Sequence, residues 1–404
     1  LGANTTGAQN VAVGQGALIA NTTGDTNTAV GTDALGANTT GTGNVAIGFK
    51  ALEATTTADY NTAIGWNAAA DVTTGTFITA VGNGALYRNT TGAHNTCVGR
   101  DTGAYISTGN YNTALGSGAL SAITTGGEAV AIGYQALNKA TGGYNVAIGY
   151  ASQYDCTTGV NNVSAGHNSL QNLTTGNQNS AIGGGSLNDT TTGSYNQAMG
   201  YTAGNAITDG EYNVAIGHQA GSDITTGDAN VCLGRNTTTG LADAQGRVVI
   251  GFNVSGGVDY QVTIGNDSVG KIQNSFNSNA TWTRTSDIRF KKDVNTNTDC
   301  GLDFINDLRT VTYKWKAPSE RPPELVGYDA ELTEPSHKEK MYGFIAQEIK
   351  AVLDAKNITD FNGWSVSEKD GSQSVSYEMF VIPLVKAVQE LSAEVEQLKS
   401  QINN

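Results

Sequence analysis

The chain has 404 residues, among them 52 glycines and 5 prolines, and its formal net charge is −14. Few prolines and no Gly-X-Y period exclude a collagen-like fibre, and abundant Val, Ile, Thr and Ala argue against a disordered chain. No run of about 18 apolar residues is present, so no membrane-spanning helix is predicted. The lack of a basic patch argues against a nucleic-acid partner. The chain begins at Leu1 without a methionine or signal-like segment, as expected for a fragment or a processed form.

The composition changes near Ser286. Residues 1–285 contain 8 Lys/Arg, 16 Asp/Glu and 47 Gly, whereas the shorter segment 286–404 contains 14 Lys/Arg, 20 Asp/Glu and 5 Gly. All five prolines lie in the second segment. We therefore predict a domain boundary at this point.

The first segment is an internal repeat. The phrases NVAVG, NTAVG, NVAIG and NTAIG end at Gly14, Gly31, Gly48 and Gly65, and related phrases continue to Gly251. Of the 14 intervals between these anchor glycines, 13 are 17 residues long and one is 16. Such regularity over 1–251 predicts an array of one structural unit.

Each repeat favours short β-strands over helices. The x-Ala-Val/Ile-Gly alternation and the Thr-rich remainder are typical of strands, and the recurring Gly supplies turns. We predict a mainly β protein whose repeats form a β-solenoid or β-roll, one coil per repeat. Alanines at one phase, such as Ala12, Ala29, Ala46 and Ala63, predict a narrow interior. Because so narrow a core buries little apolar area, several chains are expected to associate along it.

These phrases resemble the head repeats of trimeric autotransporter adhesins, whose β-rolls pack as three chains. The 17-residue form is also similar to repeats of phage tail fibres and other chaperoned trimeric fibres. The resemblance covers about residues 1–251 and implies a homotrimer.

Large side chains recur at two positions of the repeat and form candidate ligand-contact or interchain rows. Rows of aromatic residues suit recognition of sugars or proteins, but packing between chains, or stacking along the coils, produces the same periodicity. The first row follows the anchor glycine and includes Phe49, Trp66, Arg100, Tyr134, Tyr150, His167, Tyr201, His218 and Arg235. The second row precedes the Asn that begins each five-residue phrase and includes Tyr60, Tyr111, Tyr144, Tyr195 and Tyr212.

No cofactor or metal is implied. The four cysteines show no CxxC spacing and the four histidines are scattered, so neither a zinc site nor a disulfide framework is supported. Cys97 and Cys232 replace the inward alanine and are expected in the core, whereas Cys156 is placed in a turn. The Thr-Thr-Gly phrases raise an ice-binding alternative, but adjacent threonines on a strand point to opposite faces.

Residues 252–285 are read as a β-rich connector, and 286–404 as a separate α+β domain. The latter contains SDIRFKKDV, GLDFINDLRTVTYKW, YGFIAQEIKAVL and SVSYEMFVIPLVKAVQELSAEVEQLK in that order. Together they resemble the C-terminal intramolecular chaperone of endosialidases, the peptidase S74 family. The resemblance implies a trimerising domain that cleaves itself off before the serine of its SD motif: Ser286 as nucleophile, Lys291 as general base, and Thr285–Ser286 as the scissile bond.

A serine–lysine pair is chemically suited to this reaction. A serine hydroxyl needs a base, and a lysine serves as one when its pKa falls from about 10.4 toward 7 or 8. The alternative for SDIRFKK is a capped helix start with Ser286 or Asp287 as the cap.

The C-terminal tail is predicted to be a coiled coil over about 381–402. The alternation of Val or Ile with Leu in isolation favours two strands, whereas both resemblances imply three. An amphipathic helix packed on its own domain is the alternative. The apolar positions are Val381, Leu384, Val388, Leu391, Val395, Leu398 and Ile402.

The sequence thus predicts a homotrimeric attachment fibre with a self-cleaving chaperone, located in a virion tail or at a cell surface. Its expected partners are further copies of itself and a surface glycan or protein receptor, without nucleic acid or membrane insertion. A bacterial trimeric adhesin is the main alternative. A polysaccharide-degrading spike would need a carboxylate pair, and the acidic residues of the repeats show no repeated pairing.

Overall fold

A computed structural model describes residues 1–275, 288, 291–325, 328–335, 338–367 and 369–403, and the backbone of Thr283–Arg284. The chain divides into two compact units, Leu1–Ser286 and Asp287–Asn404.

The first unit is a solenoid in which each 17-residue coil contributes one three-residue strand. Each strand pairs in parallel and in register with the equivalent strand of the next coil, as in Ala12–Ala29 and Ala29–Ala46. The repeating strands are β1 Val11–Val13, β2 Thr28–Val30, β3 Val45–Ile47, β4 Thr62–Ile64, β5 Thr79–Val81, β6 Thr96–Val98, β7 Thr113–Leu115, β8 Val130–Ile132, β9 Val146–Ile148, β10 Val163–Ala165, β11 Ser180–Ile182, β12 Gln197–Met199, β13 Val214–Ile216 and β14 Val231–Leu233.

The last coils lead into an antiparallel end. β16 (Val248–Gly251) and β18 (Gln261–Asn266) continue the parallel stack, and β15 (Thr237–Thr238) pairs with β17 (Val254–Ser255) beside it. β19 (Gly270–Ser275) then runs antiparallel to β18, and β20 (Thr283–Arg284) antiparallel to β19.

The anchor glycine ends each strand at a position where no other residue fits. Gly116 has a φ of 129°, and a Cβ there would lie 2.5 Å from the carbonyl oxygen of Gly133 in the next coil. The middle alanine of each strand faces inward: Ala29, Ala46 and Ala63 are fully buried. The predicted narrow interior is confirmed.

Asparagine ladders satisfy the backbone groups inside the coils. Asn213 donates from its amide nitrogen to the carbonyl oxygen of Gly227 at 2.8 Å, and its Oδ1 accepts the backbone N–H of Asn230 at 3.0 Å. A buried polar group is costly unless it is hydrogen-bonded. Asn213 also donates to Oδ1 of Asn196 in the preceding coil at 3.1 Å, so it joins the coils on both sides. The repeated Asn is thus a structural residue of the solenoid.

The Thr-Thr segments do not form the strands expected of them, with the exception of β15. The backbone N–H groups of Thr22 and Thr23 both donate to the carbonyl oxygen of Thr39, and the Thr22 hydroxyl donates to the same oxygen at 3.0 Å. A carbonyl oxygen that accepts both N–H groups of a Thr-Thr pair indicates a bend, because the N–H groups of consecutive strand residues point to opposite sides. The first hydroxyl of this pair is therefore bonded within the protein, which removes it from the flat array that ice binding would need.

The second unit is a small α+β domain. α1 (Leu302–Asn306) is followed by the antiparallel pair β21 (Val311–Tyr313) and β22 (Met341–Gly343), and α2 (Ala346–Ala355) by the pair β23 (Trp364–Val366) and β24 (Gln373–Val375). Two 3-10 helices span Pro318–Glu320 and Tyr377–Phe380, and α3 spans Val381–Ile402. The core contains Cys300, Phe304, Ile349, Leu353 and Phe380.

The predicted fold class, a β-solenoid of 17-residue coils before an α+β domain with a C-terminal helix, is confirmed.

Candidate functional site

The residues predicted to cleave the chain are close in sequence to the boundary between the two units. Thr285 and Ser286 fall outside the described residues. Lys291 is described and exposed, and its backbone N–H donates to the carbonyl oxygen of Ile288 at 3.0 Å. The serine–lysine pair therefore stays a prediction.

The downstream segments of the resemblance form one folded unit. GLDFINDLRTVTYKW supplies α1 and β21, and YGFIAQEIKAVL supplies β22 and α2. Arg309 joins the two segments: its Nε donates to Oε2 of Glu348 at 3.0 Å and lowers the pKa of that carboxyl. On the other side Lys356 bridges Asp303 at 2.5 Å and Asp307 at 2.7 Å. Ion pairs thus link the α1 segment to the α2 segment at two places on the surface.

The C-terminal helix packs on this domain through its first half only. Oε2 of Glu390 accepts the backbone N–H of Leu302 at 2.6 Å, and this bond, together with Lys386, lowers the pKa of the Glu390 carboxyl. Pro383 and Ala387 are buried, whereas residues 391–403 are all exposed. The seven apolar heptad positions are exposed by 40% to 81%. The first half of α3 packs on its domain through Pro383 and Ala387, whereas the apolar heptad positions are exposed along the whole helix in the single chain.

The predicted ligand-contact rows are exposed and stack along the solenoid. Trp66 meets Phe49 edge to face with ring centres 5.5 Å apart. Sequence reasoning missed Phe77 and His94, which occupy the Tyr position of their repeats and make the second row continuous there. Further stacks are Tyr60–Phe77–His94–Tyr111, Tyr134–Tyr150–His167, Tyr195–Tyr212 and Tyr201–His218, while Tyr144 is exposed.

A third row, which the sequence did not point to, runs along the strands themselves. It consists of the residue before each anchor glycine, together with Ile264 before Gly265; we call it the outward aliphatic row. Eight of its 16 side chains are exposed by 38% to 57%, and the others are half-buried. Its members are Val13, Val30, Ile47, Ile64, Val81, Val98, Leu115, Ile132, Ile148, Ala165, Ile182, Met199, Ile216, Leu233, Ile250 and Ile264.

The cysteines are buried and free. Burial raises the pKa of Cys97, Cys156 and Cys232 to about 12. Cys97 and Cys232 lie in the solenoid core as expected, and Cys156 is in the core as well. Within the described ranges, no three His, Cys, Asp or Glu side chains are grouped as metal ligands. The described helices include none that is long and apolar enough to cross a membrane.

The described chain consists of a unit of stacked coils and an α+β domain whose C-terminal helix carries an exposed apolar stripe. Residues 286–357 match the family described as chaperone of endosialidase. The chain carries this chaperone domain in its C-terminal part and fits a tail fibre-like protein with a C-terminal chaperone. Comparison of the chain with curated proteins and with solved structures found no match.

Proposed function

We propose that the protein is a homotrimeric fibre for surface attachment, exposed on a virion tail or a cell surface. Its C-terminal domain directs trimer folding and then cleaves the chain between Thr285 and Ser286. The observation that carries the proposal is the outward aliphatic row, joined to a chaperone domain of a family associated with homotrimer formation.

The outward aliphatic row supports association along the solenoid. Strand partners place each member directly beside the next, as Ile182 beside Met199 and Met199 beside Ile216. A soluble monomer rarely exposes so long an apolar patch. Burying the row of one copy against the same rows of other copies would remove these side chains from water. Every coil would add to the buried apolar area.

The exposed half of α3 supports association of the second unit as well. Leu391, Val395, Leu398 and Ile402 follow one face of the helix at spacings of three and four. Such spacing is that of a coiled-coil seam. Three copies of α3 would bury these side chains against one another.

The proposed cleavage uses Ser286 and Lys291. The serine hydroxyl attacks the carbonyl carbon of Thr285, and the lysine amine takes the hydroxyl proton and passes it to the Ser286 nitrogen, which leaves as a new amino terminus. Water then hydrolyses the ester between the Thr285 carbonyl and the serine oxygen. A lysine acts as a base when its surroundings exclude water. Lys291 is exposed in the single chain, so cleavage is expected only after assembly.

The test is to express the whole chain beside its Ser286→Ala and Lys291→Ala variants, with Lys292→Ala as a matched control. We expect the wild type and Lys292→Ala to yield fragments 1–285 and 286–404, and the first two variants to stay intact. Sedimentation of the wild type should give a trimer. A single full-length band shared by all four chains would disprove self-cleavage, and a monomer would disprove the trimer.

A further inference from the structure

A groove of about 740 Å³ lies on the solenoid between Trp66 and Asn138. Its walls come from the residues that follow the anchor glycines Gly65 to Gly133, whereas the outward aliphatic row precedes those glycines. Self-association along the strands therefore leaves this part of the surface open.

Three large side chains of the groove stand at positions of the repeat that vary from coil to coil. Tyr87 and Arg88 stand at the fifth and sixth positions after Gly82, and Tyr105 at the sixth after Gly99. The coil after Gly31 has Gly36 and Ala37 at these positions. Its backbone bond from residue 37 to the next coil is equivalent to the one from residue 88. The fold forms with small residues here, so these large side chains are not required for the coil to form.

Arg88 is held on aromatic rings. Its guanidinium carbon lies 5.9 Å from the ring centre of Tyr87 and 5.4 Å from that of Tyr105. Among the described residues no carboxylate pairs with it, whereas Arg100 pairs with Asp101 at 3.3 Å. A guanidinium fixed on rings keeps its planar fork of donors, which matches a carboxylate with two parallel hydrogen bonds.

The remaining lining suits a sugar chain. Trp66 is 59% exposed and Tyr105 52% exposed, so both offer apolar ring surface. The amide of Asn83 and the carboxylate of Asp101 add polar groups able to bond hydroxyls. Four coil spacings from Trp66 to Asn138 amount to roughly 19 Å, and one spacing is comparable to the length of a hexose unit.

We propose that this groove binds an oligosaccharide bearing carboxylate groups. Arg88 pairs with a sugar carboxylate, Trp66 and Tyr105 pack on sugar rings, and Asn83 and Asp101 bond hydroxyl groups. The inference rests on the proposed attachment function, and it names the chemical class of the receptor and the place where it binds.

The test measures binding of the full chain to an array of uronate- and sialate-bearing oligosaccharides printed beside their carboxyl-reduced counterparts. Arg88→Gln and Tyr105→Ala are the variants. Lys139→Gln is the matched control, because Lys139 also lies over a ring, that of Tyr154 at 4.9 Å, and does not line the groove. We expect at least one acidic oligosaccharide to bind and its reduced counterpart to bind weakly. Arg88→Gln should weaken binding roughly tenfold or more, and Lys139→Gln should match the wild type.

Any of three results would disprove the proposed binding site. The array retains no acidic oligosaccharide, the acidic and reduced forms bind equally, or the Arg88→Gln variant binds as strongly as the wild type. Each preparation is also run on a denaturing gel and sedimented. A cleaved trimer without glycan binding rejects the groove alone, whereas an uncleaved monomer rejects the proposed assembly whatever the array shows.

Discussion

The guanidinium of Arg247 closes the end of the asparagine ladder on the carboxylate of Asp259. Nη2 and Nε of Arg247 lie 2.8 Å and 2.9 Å from Oδ1 of Asp259, and Nη1 donates to the carbonyl oxygen of Thr239 at 2.7 Å. The backbone N–H of Arg247 takes the place of the next ladder residue by donating to Asn230. The arginine side chain is 2% exposed and the aspartate 44%.

This difference in exposure predicts an asymmetric response to mutation. Asp259→Ala leaves a buried cation without its partner and should cost about 3 kcal/mol. Arg247→Met leaves a carboxylate that water can reach and one unpaired carbonyl, and should cost about 1–2 kcal/mol. Urea unfolding, with hydrogen exchange of the amides in coils 230–265, measures both. Equal losses would contradict the asymmetry.

The same pair predicts a loss of stability in acid. The backbone N–H of Gln245 and the Arg247 side chain lower the pKa of Asp259 below its usual value. A group whose pKa is lower when folded stabilises above its unfolded pKa, about 3.9, and loses this effect as the pH falls through the folded value. The difference in urea midpoint between wild type and Asp259→Ala should be constant from pH 7 to about 5 and shrink below about 4. A constant difference down to pH 2 would refute the linkage.

The asparagine ladder is expected to be sensitive to single deletions. Asn213→Ala removes the partner of the Gly227 carbonyl and of the Asn230 backbone N–H. The cost should be roughly 2–4 kcal/mol, from about 1–3 for each buried group left unpaired. Asn205→Ala is the control, because the structure records no hydrogen bond of its side chain within the described part of the chain. Similar unfolding curves for the two variants would contradict a structural role of the ladder.

The buried cysteines should be inert in the native protein. Burial raises the pKa of Cys97, Cys156 and Cys232 to about 12, so almost no reactive thiolate is present at pH 8. A thiol reagent such as dithiobisnitrobenzoate should label none of the three before urea is added, and all of them after it. Rapid labelling of the folded protein would show that the core opens.

Charge placed in the outward aliphatic row should prevent association. Ile182→Asp with Ile216→Asp puts two carboxylates on a face that assembly would bury, where an unpaired charge is costly. Sedimentation should move from trimer toward monomer, while circular dichroism of the coils changes little. Gln219→Asp, off the strands, is the control. Unchanged sedimentation of the double variant would exclude this face as the contact.

Periodicity made the solenoid predictable. A glycine every 17 residues with alanine two positions before it determines the length of the coil, the inward face and the narrow interior, because these properties depend on local conformation and on the side-chain alternation of a strand. The same local information misplaced the Thr-Thr segments, since bonds from the neighbouring coil decide that they bend.

The sequence by itself determined the repeat, the position near Ser286 where the composition changes, and the family-like segments that follow. Only the tertiary structure showed that Arg247 meets Asp259, that Tyr87, Arg88 and Tyr105 converge on one groove, and that half of the outward aliphatic row is exposed. These relationships depend on contacts between residues of different coils, or on whether other residues cover a side chain. The stacking of the coils, rather than the order of residues along the chain, sets the distances between these residues.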